Sequence, residues 1–234
     1  MTSLAEQTTE QLGGPLSVLA VQKRDHVRLD RLLHELDDAT PGPEEDRVLR
    51  AIARLVFPHA FAEEALLWPV VRSAVPDGEA LTLQVEREHQ EVNELWTELE
   101  TTPPGPHRVA LKKRLAEVLR EDVRDEEDEL LPRLQDRVET GRLQLLGIAW
   151  EVLRRTAPTR PHPVVARRPP GNALAALPLT VIDRSRDALD AVAGRVPAAR
   201  DRAVTLSAAL AGVAGRVERW EPLRRGERPA THRA

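Results

Sequence analysis

Two stretches of the chain coincide when it is shifted against itself by 63 residues. "HAFAEEALLWP" (59–69) falls on "DVRDEEDELLP" (122–132), with Glu-Glu four and five positions after the start and proline ten after it. The same shift lays "RDHVRLDRLLHEL" (24–36) on "REHQEVNELWTEL" (87–99), pairing His26 with His89 and placing Leu29, Leu32 and Leu36 on Val92, Leu95 and Leu99. Two separate segments sharing one offset define an internal duplication, which limits the fold more than composition does.

The duplicated unit reads as helical. Leu16, Leu19, Ala20, Leu29, Leu32, Leu33 and Leu36 recur at helical spacing before the breaker "DDATPGP". Further helical stretches are expected over about 44–75, 79–99 and 107–138, the third stopped by "TTPPGP", with a shorter helix in "RLQLLGIAWEVLRRT". Pro58 and Pro69 are each expected to kink or interrupt the second stretch, and Pro132 lies near the end of the fourth. Leu, Ala, Arg and Glu dominate, aromatics are only 3%, and runs of β-branched residues are missing. The expectation is all-α: an up-down-up-down four-helix bundle over 16–156 with a helical C-terminal extension. The absence of Cys excludes disulfides, thiolate metal sites and a Cys nucleophile.

Around that bundle an N-terminal tail (1–15), a Pro-rich linker (157–172), a helical hairpin (173–222) and a basic tail (223–234) are expected. Charge follows the same division. Residues 1–159 carry 20 Lys/Arg against 31 Asp/Glu, whereas residues 160–234 carry 14 Arg against 7 acids. The basic extension is therefore expected to dock on its own acidic bundle or on a protein partner. Nucleic acid is not an expected partner, since beyond Trp220 the extension offers no aromatic for stacking. "MTSLAEQTTEQLGG" lacks the basic-then-apolar pattern of a secretory leader, and no apolar run approaches the ~20 residues of a membrane span. The expected location is the cytoplasm, with no membrane association.

Helix geometry gathers the duplicated polar residues. Positions i and i+4 lie about 40° apart around a helix and ~6 Å along it, so His59 shares a face with Glu63, and Asp122 with Glu126. In an up-down bundle, a pseudo-twofold axis would relate His26 to His89 and the 59/63 pair to the 122/126 pair. Three imidazoles and three carboxylates would then meet in the interior, at high cost if unpaired. Divalent metal resolves that cost: imidazole and carboxylate suit iron, manganese or zinc. Two ions would fit, with Glu63 and Glu126 placed to bridge. Arg124, Asp125, Asp128 and Glu129 of the same acidic run are expected to face solvent.

Isolated His26, His59-x-x-x-Glu63, isolated His89 and the Glu126-Glu127-x-x-Leu-Leu-Pro frame together resemble the hemerythrin-like HHE cation-binding family, over roughly residues 16–156. The resemblance implies a bundle holding a non-haem di-iron centre that binds dioxygen, peroxide or nitric oxide. It carries ligand roles onto His26, His59, Glu63, His89 and Glu126. Asp122 stands where members usually have histidine, and Asn93 stands where the oxygen carriers have one more. Three histidines with three carboxylates are closer to the di-iron sites that oxidise substrates.

The expected function is binding or sensing of such a small ligand at iron. The rivals are a carboxylate-rich oxidase or peroxidase, and a metal-free helical interaction module. Glu64 and Glu127 are read as surface residues or as hydrogen-bond partners behind the ligands. His34, His107, His162 and His232 are read as peripheral, and Trp68 and Trp96 as packing. No catalytic triad, phosphate loop or dinucleotide fingerprint is present.

Overall fold

The computed structural model describes residues 1–231; His232 and the last two residues of the basic tail lie outside the described residues. Every regular element among them is helical. Ser17 caps the first helix, its hydroxyl accepting from the Leu19 N–H at 3.3 Å, and α1 runs Val18–Asp38. Leu16 precedes that cap and is exposed, so its helical spacing with the core leucines is coincidental. Gly42 at φ +119° turns the chain into Pro43, the first residue of α2 (Pro43–Ala62). Gly105 and Pro106 repeat that junction 63 residues later, opening α5 (Pro106–Asp125) after α4 (Gly78–Thr101).

The prolines act differently from one another. α2 continues through Pro58 and is not interrupted there. The carbonyl that Pro58 deprives of a donor belongs to Arg54, an exposed position where water can satisfy it. Pro69 instead follows a change of helix type. A π-helical turn, Glu63–Leu67, separates α2 from α3 (Trp68–Ala74), and a second, Glu126–Leu130, separates α5 from α6 (Leu131–Gln135). The Trp68 N–H bonds the Glu63 carbonyl and the Leu131 N–H bonds the Glu126 carbonyl, five residues back in each case. The duplication therefore extends to an unusual backbone turn at the same place in both copies.

Two apolar clusters fill the bundle. One joins Leu29, Leu33, Ile52, Trp96, Leu115 and Leu119; the other joins Leu19, Leu67, Trp68, Leu130, Leu131 and Trp150 of α7 (Thr140–Arg155). Trp68 and Trp96 both serve as packing within these clusters. Gly147 allows α7 to approach the start of α1, where a Cβ would fall 2.0 Å from the Leu16 carbonyl oxygen. Between the clusters on α1 lie Gln22, Asp25 and His26, all buried, and α4 contributes buried His89 and Asn93 at the matching level.

After α7, residues 156–170 are irregular, then α8 (Gly171–Arg195) and α9 (Arg200–Val217) pack on each other. The irregular segment is buried in several places. Arg168 binds Glu79 and Glu86 of α4, and His162 is held between Asp183 and Glu218. No helix among the described residues is long and apolar enough to cross a membrane.

Candidate metal centre

Successive residues of an α-helix point in directions about 100° apart, so two adjacent glutamates seldom face one interior. The π turns change that. Glu63 and Glu64 are both buried, as are Glu126 and Glu127, while Asp128 and Glu129 remain in solvent with Arg124. Pro69 and Pro132, just beyond, cannot donate to the carbonyls behind them, which favours a change of register at that point.

The first glutamate of each pair meets imidazole Nε2 atoms. His59 Nε2 stands 3.2 Å from Glu63 Oε1, and His89 Nε2 stands 3.4 Å from Glu63 Oε2. His26 Nε2 stands 3.2 Å from Glu126 Oε2, and His89 Nε2 is 3.6 Å from Asp122 Oδ1. The second glutamate of each pair holds a ring from behind. Glu127 bonds His26 Nδ1 at 2.9 Å, and Glu64 bonds His89 Nδ1 at 3.0 Å. Of the two places the sequence allows for Glu64 and Glu127, the structure thus shows the one behind the ring. Asp25 takes the same part for His59 Nδ1 at 3.5 Å. Its repeat counterpart is Glu88, and Asp122 stands in the place of His59. Gln22 adds a donor to Glu63 Oε1 at 2.7 Å and has no polar counterpart, since Val85 occupies the matching position.

These supports fix the rings with Nδ1 toward carboxylate and Nε2 inward. Four inward atoms are buried without any hydrogen-bond partner: His59 Nε2, Glu63 Oε2, Asp122 Oδ1 and Glu126 Oε1. Donors that crowd together at 3.2–3.6 Å without pairing are arranged around common points rather than around one another. His26, His59, Glu63 and Glu126 can each offer an atom within 4.8 Å of the others, and so can His89, Asp122 and Glu126. All six sequence candidates are brought together, and Glu126 belongs to both groups. The nitrogen and oxygen donors suit a transition-metal cation.

The proton chemistry agrees. Burial alone would depress the His26 imidazole, but the carboxylates of Glu126 and Glu127 beside it lift it to about 9. Burial likewise opposes charging of His59, and the Glu63 charge with the Asp25 bond lifts it to about 10. Burial raises Glu126 to about 7, assisted by the nearby charge of Glu63. Asp122 rises well above its usual range through burial and the charge of Glu126. Glu63 moves the other way: burial works against its charge, but His59 outweighs that and holds it low. Protonation of these groups would oppose a cation at the same atoms, so metal and protons would compete for the cluster.

Beside His26, His59, His89 and Asp122 lies a cavity of about 20 Å³ walled by Leu55, Phe57, Val92 and Leu119. That is room for roughly one or two water-sized centres. Trp150 closes the opposite flank of His59, edge-on at 5.0 Å between ring centroids. Trp150 and His162 are the residues that helical spacing leaves without a role. His162 takes no part in the cluster but binds Asn93 Oδ1 through its backbone N–H at 2.9 Å.

An all-helical protein whose buried histidines and carboxylates converge has the donor set of a helical cation-binding protein. Residues 17–134 match the model of the hemerythrin HHE cation-binding domain, and the chain belongs to that family. No curated protein and no solved structure matches it.

Proposed function

We propose that this chain holds a pair of iron ions in an up-down four-helix bundle and presents them to dioxygen, peroxide or nitric oxide. The observation that carries this reading is the set of four buried, unpartnered donor atoms facing two shared points. His26, His59, Glu63 and Glu126 would hold one ion; His89, Asp122 and Glu126 the other, with Glu63 within reach of both histidines 59 and 89. Bound iron supplies a redox couple and an open coordination position. Manganese or zinc fits the same donors.

The chain's own residues then do three things. Asp25, Glu64 and Glu127 set the imidazole tautomers, leaving Nε2 free to donate. The apolar wall of Leu55, Phe57, Val92 and Leu119 admits a molecule of a few atoms and keeps bulk water out. Asp122, whose carboxyl burial and the Glu126 charge raise, adds an anionic donor on the His89 half and lines the small cavity.

Asp122 among the donors favours a second reading, a carboxylate-rich oxidase or peroxidase. An anionic ligand in place of histidine stabilises the ferric state, which disfavours reversible oxygen carriage. Elemental analysis and an absorption spectrum after aerobic iron loading test the proposal. About two irons per chain, with oxo-bridge charge-transfer bands absent from His59→Ala/Glu126→Ala, is the expected result. Peroxide turnover by the loaded protein would select the enzyme reading. A wild type without stoichiometric metal would leave the metal-free module as the better description.

A further inference from the structure

The repeat copies the ligands and the carboxylates behind them, but it does not copy what stands behind those carboxylates. Glu127, which holds His26, pairs with no Lys or Arg among the described residues. Glu64, which holds His89, does. Arg167 Nη1 lies 3.6 Å from Glu64 Oε1, the same oxygen that bonds His89 Nδ1 at 3.0 Å. Arg167 comes from the irregular segment after α7, outside the duplicated unit, and is 7% exposed. Its Nη2 donates to the carbonyls of His162 at 2.7 Å and Val165 at 3.2 Å, which aims the guanidinium. The segment also reaches His89 through the backbone. Asn93 accepts from the His162 N–H and donates to the His89 carbonyl at 2.8 Å. His162 itself is clamped by Asp183 at 3.1 Å and Glu218 at 3.0 Å.

We propose that Arg167 is a positioning residue for the His89 half of the metal centre, and that its charge, acting through Glu64, raises the reduction potential of the ion bound there. The proposal rests on the iron-binding reading above. A carboxylate that accepts from Nδ1–H increases the donor strength of the ring, and a stronger donor stabilises the more oxidised ion. A guanidinium against that carboxylate withdraws part of its charge, and burial leaves the interaction little screened by salt. The ion on His89 is then easier to reduce than Glu64 alone would make it. Asp122 lies on the same half and pulls the other way as an anionic ligand, so the contribution of Arg167 is read by substitution rather than by comparing the halves. In this way the C-terminal extension sets a property of the bundle's site without supplying a ligand.

The test uses the full-length protein loaded with iron, as wild type, Arg167→Met, Arg167→Lys, Glu64→Gln and Arg167→Met/Glu64→Gln. The readouts are iron per chain, the midpoint potentials from a redox titration followed by absorption, and the apoprotein melting temperature. Arg167→Met should lower one of the two potentials and leave the other in place. Arg167→Lys, which keeps the charge, should restore most of the wild-type value. Glu64→Gln should raise that same potential, and adding Arg167→Met to it should shift nothing further. If Arg167→Met does not fold, the Glu64→Gln shift and the Arg167→Lys value still decide the matter. Equal loss of melting temperature in both arginine variants, with both potentials unmoved, would reduce Arg167 to a brace and overturn the proposal. A wild type that takes up no iron would overturn the reading it rests on, a different and separately visible failure.

Discussion

Glu63 and Glu126 occupy one position in two copies of the same turn: each opens a five-residue π-helical stretch, each is buried, and each is followed by a second glutamate bonded to a histidine Nδ1. The site is built from that relationship.

Glu126 is the donor common to both groups, so Glu126→Gln should strip metal from both halves. Glu127→Gln, which removes only the support of His26, should weaken binding about 10–100-fold. Isothermal titration with ferrous iron under anaerobic conditions separates the two outcomes. Burial and Glu63 raise Glu126 to about 7 in the folded protein, so its stabilising contribution is full below about 4.5 and is lost as pH rises through 7. At pH 8 the Glu126→Gln apoprotein should therefore melt no lower than wild-type apoprotein.

Deleting Asp128 should convert the second π turn to ordinary α-helical register. Asp128 is exposed, so the deletion removes no contact of its own. The flanking helices would keep their register while Glu126 and Glu127 took the ~100° spacing of an α-helix, which would turn one of the two out of the interior. Metal content should fall while the far-ultraviolet circular dichroism stays helical. Retention of full metal content would show that the π turn has no part in placing Glu126 and Glu127.

Gly147→Ala tests the crossing of α1 and α7. Its Cβ would meet the Leu16 carbonyl oxygen at 2.0 Å and the Val18 nitrogen at 2.9 Å, both rigid backbone atoms. Separating the helices should cost roughly 1–3 kcal/mol, read as a lower urea midpoint. Gly141→Ala, with nothing within 4 Å of its Cβ, should be neutral or stabilising in the same measurement.

The His162 imidazole should tie the irregular segment to α8 and the end of α9 in a pH-dependent way. Burial opposes its charge, but Asp183 and Glu218 lift it to about 9 from a free value of 6.5, with Arg160 and Glu100 also nearby. A raised histidine stabilises fully below 6.5 and loses that contribution as pH rises through 9, a change on the order of 3 kcal/mol. Limited proteolysis should cut within 157–170 more readily at pH 9.5 than at pH 6.5. His162→Gln should remove most of that difference, leaving cutting similar at both values.

The six ligand candidates are legible in the sequence because each has a repeat partner and each falls on an apolar helical face where a polar residue needs a reason. The same spacing misassigns Leu16, because periodicity does not register that Ser17 starts the helix. The π turns leave only the paired glutamates and the following proline as a signal, and an assumed period of 3.6 residues averages over them. His162 and Arg167 are harder still. Their burial depends on Asp183, Glu218 and Glu64 arriving from distant segments, and a proline-rich stretch looks alike whether it finds partners or stays in solvent.

The offset of 63 also gives the molecule an internal control. Any substitution in one hairpin has a natural comparator in the other: Glu64 against Glu127, Asp25 against Glu88, Gln22 against Val85. A change that perturbs both copies alike reports on the bundle as a whole. A change that perturbs one copy alone reports on the few contacts, such as Gln22 or Arg167, that the duplication did not share out.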